Sequence, residues 1–111
     1  MTAVNEISLA EYQAETWKSM TEKAFQSQVI RAARSRGWTH IYHTQHSIHS
    51  AKGYPDLHLL RGTRSLFIEL KTMKGRISDA QTEWCRALDA AGHEAYIFRP
   101  SDMAEIDRLL K

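Results

Sequence analysis

The sequence is poor in the residues that mark special architectures. It has one cysteine, Cys85, in 111 residues. No intrachain disulfide can form, which excludes small disulfide-stapled scaffolds and suits a reducing compartment. Two prolines and five glycines exclude collagen-like and proline-rich chains. Long apolar runs are missing. Tyr96 to Phe98 is typical of what occurs, far from the ~20 residues that a membrane-spanning helix needs. Residues 1–15 contain Glu6, Glu11 and Glu15 but no Lys or Arg, the wrong charge for a secretory or organellar leader. No internal repeat or low-complexity segment is present. The expectation is a cytoplasmic protein.

What is there is average in bulk. Hydrophobic residues make up 42% and charged residues 25%, which excludes disorder over most of the chain. The length corresponds to one domain, against ~150 residues per domain, and such a domain can bury a core without staples. The net charge is +2, but it is unevenly spread: residues 16–111 carry 15 bases against 10 acids, a net +5. The expected organisation is an acidic N-terminal arm over residues 1–15 and a single domain over residues 16–111. A moderately basic body suits a nucleic-acid partner, and it equally suits an ordinary solvated surface.

The pattern of apolar residues predicts a short helix over Ser8 to Ala14 and a helix from Trp17 to Arg36. Trp17, Met20 and Ala24 form one stripe of that helix; Phe25, Val29, Ala32 and Ala33 form the next. Gly37 ends it. Trp38 to His43 alternates like a strand, and Thr44 to Gly53 reads as loop. Pro55 to Leu60 and Arg64 to Lys71 read as strands flanking Gly62-Thr63, where a leading glycine suits a type II′ turn. Ser78 caps a helix that runs to about Ala91, with Gln81, Trp84, Cys85 and Leu88 as its buried stripe. His93 to Arg99 reads as a strand. Ser101 caps a last helix with an apolar face of Ile106, Leu109 and Leu110. The fold class is therefore α/β: order α-β-β-β-α-β-α, with a mixed four-stranded sheet flanked by helices. The first three strands form a meander, and the fourth, reached through a helix, pairs in parallel.

The hairpin carries the chemistry. With Gly62 and Thr63 as its turn, Arg61 pairs with Arg64 and Asp56 falls opposite Glu69, with Lys71 two residues on along the same face. The other face, Leu57, Leu59, Leu66, Ile68 and Leu70, is wholly apolar. Two carboxylates opposed across a sheet repel one another. A bound Mg²⁺ or Mn²⁺ would remove that conflict, because hard oxygen ligands suit these ions. The alternative is a surface strand on which Lys71 simply neutralises both acids.

Gly53-Tyr54-Pro55-Asp56, followed by Phe67-Ile68-Glu69-Leu70-Lys71-Thr72, resembles the PD-(D/E)XK nuclease motif, and more specifically the virus-type replication-repair nuclease (VRR-NUC) family. Supporting segments are Thr21-Glu22-Lys23-Ala24-Phe25-Gln26, Gly37-Trp38, Tyr42-His43, Ser78-Asp79-Ala80-Gln81 with Trp84, Ala91-Gly92 and Arg99-Pro100. The resemblance covers roughly residues 21–110. It implies a restriction-endonuclease-like core and a Mg²⁺- or Mn²⁺-dependent endodeoxyribonuclease. The implied metal ligands are Glu22, Asp56, Glu69 and the backbone carbonyl of Leu70, and Lys71 orients or activates the attacking water. Gln26, His43 and Gln81 match positions bordering the site. By chain length the resemblance is to stand-alone, phage- or prophage-encoded homodimeric enzymes related to Holliday-junction resolvases. Branched DNA, as a four-way junction or a flap, is then the partner. A catalytically silent DNA-binding module on the same fold, a flap or single-strand nuclease, and an assembly factor with a plain ion-pair patch are the rival readings.

Other polar residues are weaker candidates. Lys52, Lys74 and Arg76 lie in loops next to the motif and are expected to contact DNA phosphates. Tyr54 either stacks on a base, walls the metal site or packs beside Pro55. His40, His43, His46 and His49 recur every three residues, but a strand running into a loop does not gather that spacing into a zinc site. Ser47 is a candidate phosphate contact. Arg31 and Arg34 read as a solvated helix face, and Trp84 and Cys85 as core.

Overall fold

The computed structural model describes residues 8–45 and 51–111. His46, Ser47 and His49 fall outside the described residues. Two helices come first, α1 (Leu9–Ser19) and α2 (Glu22–Ser35). The helix expected from Trp17 to Arg36 is thus interrupted at Met20 and Thr21. The cause is local: the Thr21 hydroxyl accepts a hydrogen bond from the Ala24 N–H at 3.1 Å with Thr21 in an extended conformation. An N-cap of this kind competes with helix continuation. Helix α1, capped by Ser8 and extending past Ala14, has no buried residue. Helix α2 buries Phe25, Val29 and Ala33. Gly37, at φ +86°, ends it as a Schellman motif: the Gly37 N–H donates to Arg34 O and the Trp38 N–H to Ala33 O.

The sheet contains β1 (His40–His43), β2 (Leu57–Arg61), β3 (Arg64–Leu70) and β4 (Glu94–Phe98), in that spatial order. The β2–β3 register runs from Arg61 opposite Arg64 to Leu57 opposite Ile68, as the two-residue turn predicts. Gly62 has φ +58° and no non-glycine residue among those described has positive φ, which agrees with a type II′ turn. Helix α3 (Asp79–Ala90) crosses over to β4, which pairs in parallel with β3. A single 3₁₀ turn, Pro100–Asp102, then leads into α4 (Met103–Leu110). Asp102, rather than Ser101, organises that entry, because its carboxylate accepts from the Arg99 N–H at 2.8 Å.

One face of the sheet forms the core with α2 and α4. Leu57, Leu59, Leu66, Ile68 and Leu70 meet Phe25, Val29, Ala33, Trp38, Phe98, Ile106 and Leu110 there. Each full burial of such a side chain contributes ~1.5–3 kcal/mol. Trp38 lies in this core ahead of β1, not within it; its indole N–H donates to Leu110 O at 2.9 Å. Arg61 stacks over its ring at 4.6 Å and donates to Arg36 O, Leu110 O and Lys111 O. Arg64 donates to Leu109 O. The hairpin turn therefore supplies the cations that satisfy the open carbonyls at the C-terminus of α4.

The opposite face is covered less completely. Helix α3 lies on it, yet none of its residues is fully buried. Trp84, Cys85 and Leu88, expected as core, are half-buried. A single short helix over the β4 side leaves its own flanks open to solvent.

Candidate active site

The site begins where β2 and β3 part. Asp56 immediately precedes β2 and is 4% exposed. Its main-chain oxygen accepts from the Thr44 N–H at 2.8 Å, continuing the pairing toward β1. Its carboxylate turns the other way and accepts from the Leu70 N–H at 2.9 Å. The side chain thus takes a backbone donor of β3 at the point where the hairpin forks. Pro55 has no N–H to satisfy, and its carbonyl accepts from the Thr44 hydroxyl at 2.8 Å. The backbone of the Pro-Asp pair is held from the β1 side and the carboxylate from the β3 side.

Glu69 on β3 is 2% exposed. Its Oε2 accepts from the Gln81 side-chain amide at 2.7 Å and lies 4.0 Å from the Lys71 ammonium. Lys71 is itself only 15% exposed. Gln81 also closes the start of its own helix. Its Oε1 accepts from the Ser78 N–H while Ser78 Oγ accepts from the Gln81 N–H. This capping box ties the start of α3 to the Glu69 carboxylate.

Glu69 Oε1 is buried and meets no hydrogen-bond donor. Burial and the neighbouring Asp56 charge push the Glu69 carboxyl up to about 8, and Lys71 offsets this only in part. A hydrogen bond to Asp56, which Glu69 can make only by carrying a proton, and the charge of Glu22 add to the shift. The pocket therefore demands either a proton or another positive charge at Oε1. All its nearby acids offer hard oxygen donors, the chemistry preferred by Mg²⁺ and Mn²⁺. By donor type and by its orphaned oxygen the site fits a divalent cation. As they stand, no three His, Cys, Asp or Glu side chains among the described residues are grouped closely enough to enclose one. Asp56 and Glu69 are buried and each is held by a hydrogen bond. Glu22, exposed in the first turn of α2, lines the same cavity.

A cavity of about 510 Å³ brings together Glu22, Asp56, Glu69, Lys71, Gln81 and Lys52. Leu70 contributes its N–H to Asp56, while its side chain belongs to the core. Gln26, half-buried one turn after Glu22, and His43, exposed at the end of β1, are not among the lining residues. Lys74 and Arg76 are exposed on the loop between β3 and α3, outside the lining. Tyr54 packs edge-on against Trp84 at 4.9 Å and Phe67 at 6.4 Å. His40 and His43 occupy the two ends of β1, three positions apart and so on opposite faces. Burial and the Glu69 charge raise the Cys85 thiol, which keeps it protonated and a poor nucleophile.

Gly53 has a role that its place ahead of Pro-Asp did not reveal. It has φ +83°, and a Cβ there would lie 2.4 Å from the Ala80 carbonyl carbon and 2.6 Å from the Gln81 nitrogen. The loop entering β2 touches the N-terminus of α3 backbone to backbone. Gly53→Ala is expected to force them apart, adding to a strain of ~1–3 kcal/mol from the positive φ alone. Thermal unfolding should show a clear loss of stability. An unchanged midpoint would mean the loop yields freely.

A mixed four-stranded sheet with helices on both faces, and acids at its fork, is the α/β architecture of the restriction-endonuclease-like superfamily. The family model for the VRR-NUC domain matches residues 5–102, and the chain belongs to that family. A solved structure described as a VRR_NUC domain protein superposes with a TM-score of 0.66 at 22% identity, covering 84% of this chain and 89% of that one; at this identity the likeness speaks for the fold. No curated protein matches the chain. Family membership makes this a nuclease-type domain with DNA as its implied substrate.

Proposed function

We propose that the chain is a Mg²⁺- or Mn²⁺-dependent DNA endonuclease that hydrolyses phosphodiester bonds. The observation that carries this reading is the buried Asp56–Glu69 pair, in which Glu69 Oε1 is left without a donor while Oε2 lies 4.0 Å from the Lys71 ammonium. A sequence selected for stability alone would not bury that combination. Asp56, Glu69 and the Leu70 carbonyl would hold the cation, with Glu22 joining from α2. When bound, the cation would polarise the phosphate and supply most of the charge relief.

The protein's own groups do the rest. Lys71 sits where it can orient a water and face charge developing on the phosphoryl oxygens. Gln81 holds the Glu69 carboxylate by Oε2, while Oε1 stays buried without a donor. Lys52 lines the cavity, and Lys74 and Arg76 project from the adjoining loop; all three are suited to phosphate contacts. Selectivity for branched DNA, a homodimer cutting two strands, and a role in phage or prophage recombination or repair within a bacterial cytoplasm complete the proposal. They rest on the family's character.

Cleavage of labelled duplex, single strand, 5′ flap, 3′ flap and four-way junction, each with Mg²⁺, Mn²⁺ or EDTA, tests this reading. Metal-dependent cutting is expected, strongest on a branched substrate. DNA binding without cleavage of any substrate would replace it with the silent binding module.

A further inference from the structure

Arg99, at the end of β4, reaches back to the loop that follows Lys71. One of its terminal nitrogens donates to the carbonyls of Thr72, Met73 and Gly75, the last two at 3.3 and 2.8 Å. Three carbonyl oxygens converging on one point concentrate negative partial charge, a geometry that is unfavourable without a cation at its centre. The backbone ladder hands over to this contact. The last strand pair is Leu70 with Phe98, and the Lys71 N–H still donates to Phe98 O at 2.9 Å. Beyond that point the Arg99 side chain takes over as the tether. The loop also backs the Lys71 side chain. A Cβ on Gly75 would lie 3.0 Å from Thr72 Oγ1 and 3.5 Å from Lys71 Cδ. Lys71, 15% exposed, has its stem held against this turn.

We propose that Arg99 is a positioning residue for the nuclease reaction: by collecting the three carbonyls it fixes the loop that aims Lys71. The proposal rests on the reading of Lys71 as the working lysine. It assigns to Arg99 neither a metal contact nor a substrate contact.

The test uses the full chain with Arg99→Ala, Arg99→Lys and Lys71→Ala. For Arg99→Ala, kcat should fall at least tenfold. The Mn²⁺ concentration giving half the maximal thermal stabilisation should stay within twofold of the parent, because Asp56 and Glu69 are held by other contacts. Trypsin should cut faster at Lys74 and Arg76. Millimolar guanidinium ion should restore kcat with saturation by refilling the carbonyl cluster. Arg99→Lys should fall between, since an ammonium can donate to three carbonyls but from a stem one bond shorter; it also carries the test if Arg99→Ala does not fold. Full kcat in Arg99→Ala, unchanged tryptic protection of the loop, or a loss that guanidinium does not restore would each overturn the proposal. The nuclease reading fails separately, if the parent cuts nothing or Lys71→Ala cuts as well as the parent. In that event the tryptic protection still decides whether Arg99 holds the loop.

Discussion

Lys71→Ala is expected to lower the rate of metal-dependent cleavage ~10²–10³-fold, the loss typical when one preorganised group facing developing charge is removed. The fold should survive. Lys71 lies just past β3 and outside the core cluster, so its removal opens no cavity there. Its ammonium is 4.0 Å from Glu69 Oε2, and its charge works against the rise of the Glu69 carboxyl. The variant therefore loses two things at once: the cation facing the phosphate, and part of what keeps Glu69 ready to ionise. Raising the pH or the Mn²⁺ concentration should recover only the second loss. A residual defect that neither condition repairs belongs to the chemical step. Lys71→Arg should not substitute, because a planar guanidinium cannot place a compact charge at the same point. Circular dichroism and thermal unfolding check the fold, and initial rates on the preferred substrate check the activity. Undiminished cleavage by Lys71→Ala would remove the residue from the mechanism.

The fold was legible wherever side-chain pattern and turn chemistry agree. Gly62-Thr63 fixes the hairpin register, and with it the pairing of the β2 and β3 leucines on one face. The register also brings Asp56 and Glu69 into one cavity. Ser78 reads as an N-cap from sequence alone, and the structure has it, with Gln81 completing a capping box that the sequence reading did not include. What was not legible depends on competition or on distance. Thr21 lies inside an uninterrupted helical pattern, and nothing local shows that its cap overrides helix continuation. Trp38 alternates with its neighbours as a strand residue would, yet its indole is committed to a carbonyl 72 positions away. Trp84 and Cys85 have the spacing of a buried stripe, but periodicity gives the direction of a face and not how much of it a neighbour covers.

The candidate site shows the same division. Asp56, Glu69 and Lys71 belong to one hairpin, and a strand period of two suffices to place them together. Glu22 joins them from a helix 34 residues before Asp56, which resemblance to a family implied and pattern alone did not. Gly53 and Arg99 act through backbone contacts with segments distant in sequence, so no spacing rule reveals them. The orphaned Glu69 oxygen is likewise a property of packing: the sequence shows two opposed acids but not which of their oxygens is left without a donor.

That oxygen supports the second strong expectation: Glu69→Gln should stabilise the metal-free protein while abolishing cleavage. The folded-state carboxyl titrates at about 8, raised from 4.5. Between those values the folded chain binds a proton that the unfolded chain has released. Stability from this group is therefore fully present below the unfolded value, falls as the pH rises, and is lost once the pH passes about 8. A divalent cation competes with the same proton, so its stabilising effect should grow from pH 6 to pH 8. Gln at this position carries no charge, and its amide oxygen can still accept from Gln81. The metal-free variant should lose the decline of stability over that window. At pH 8 its midpoint should exceed the parent's by ~4 °C or more, the shift that ~1 kcal/mol gives in a domain of this size. Mn²⁺ should then add little, because one of the two buried carboxylates is gone. Thermal unfolding of both proteins at pH 6, 7 and 8, with EDTA and with Mn²⁺, measures all three effects. A variant no more stable than the parent at pH 8, or a Mn²⁺ shift in the parent that ignores pH, would mean that the Glu69 carboxylate is already compensated within the protein. Stability traded for a buried charge in this way would be a cost of function, and the Gln variant measures its size directly.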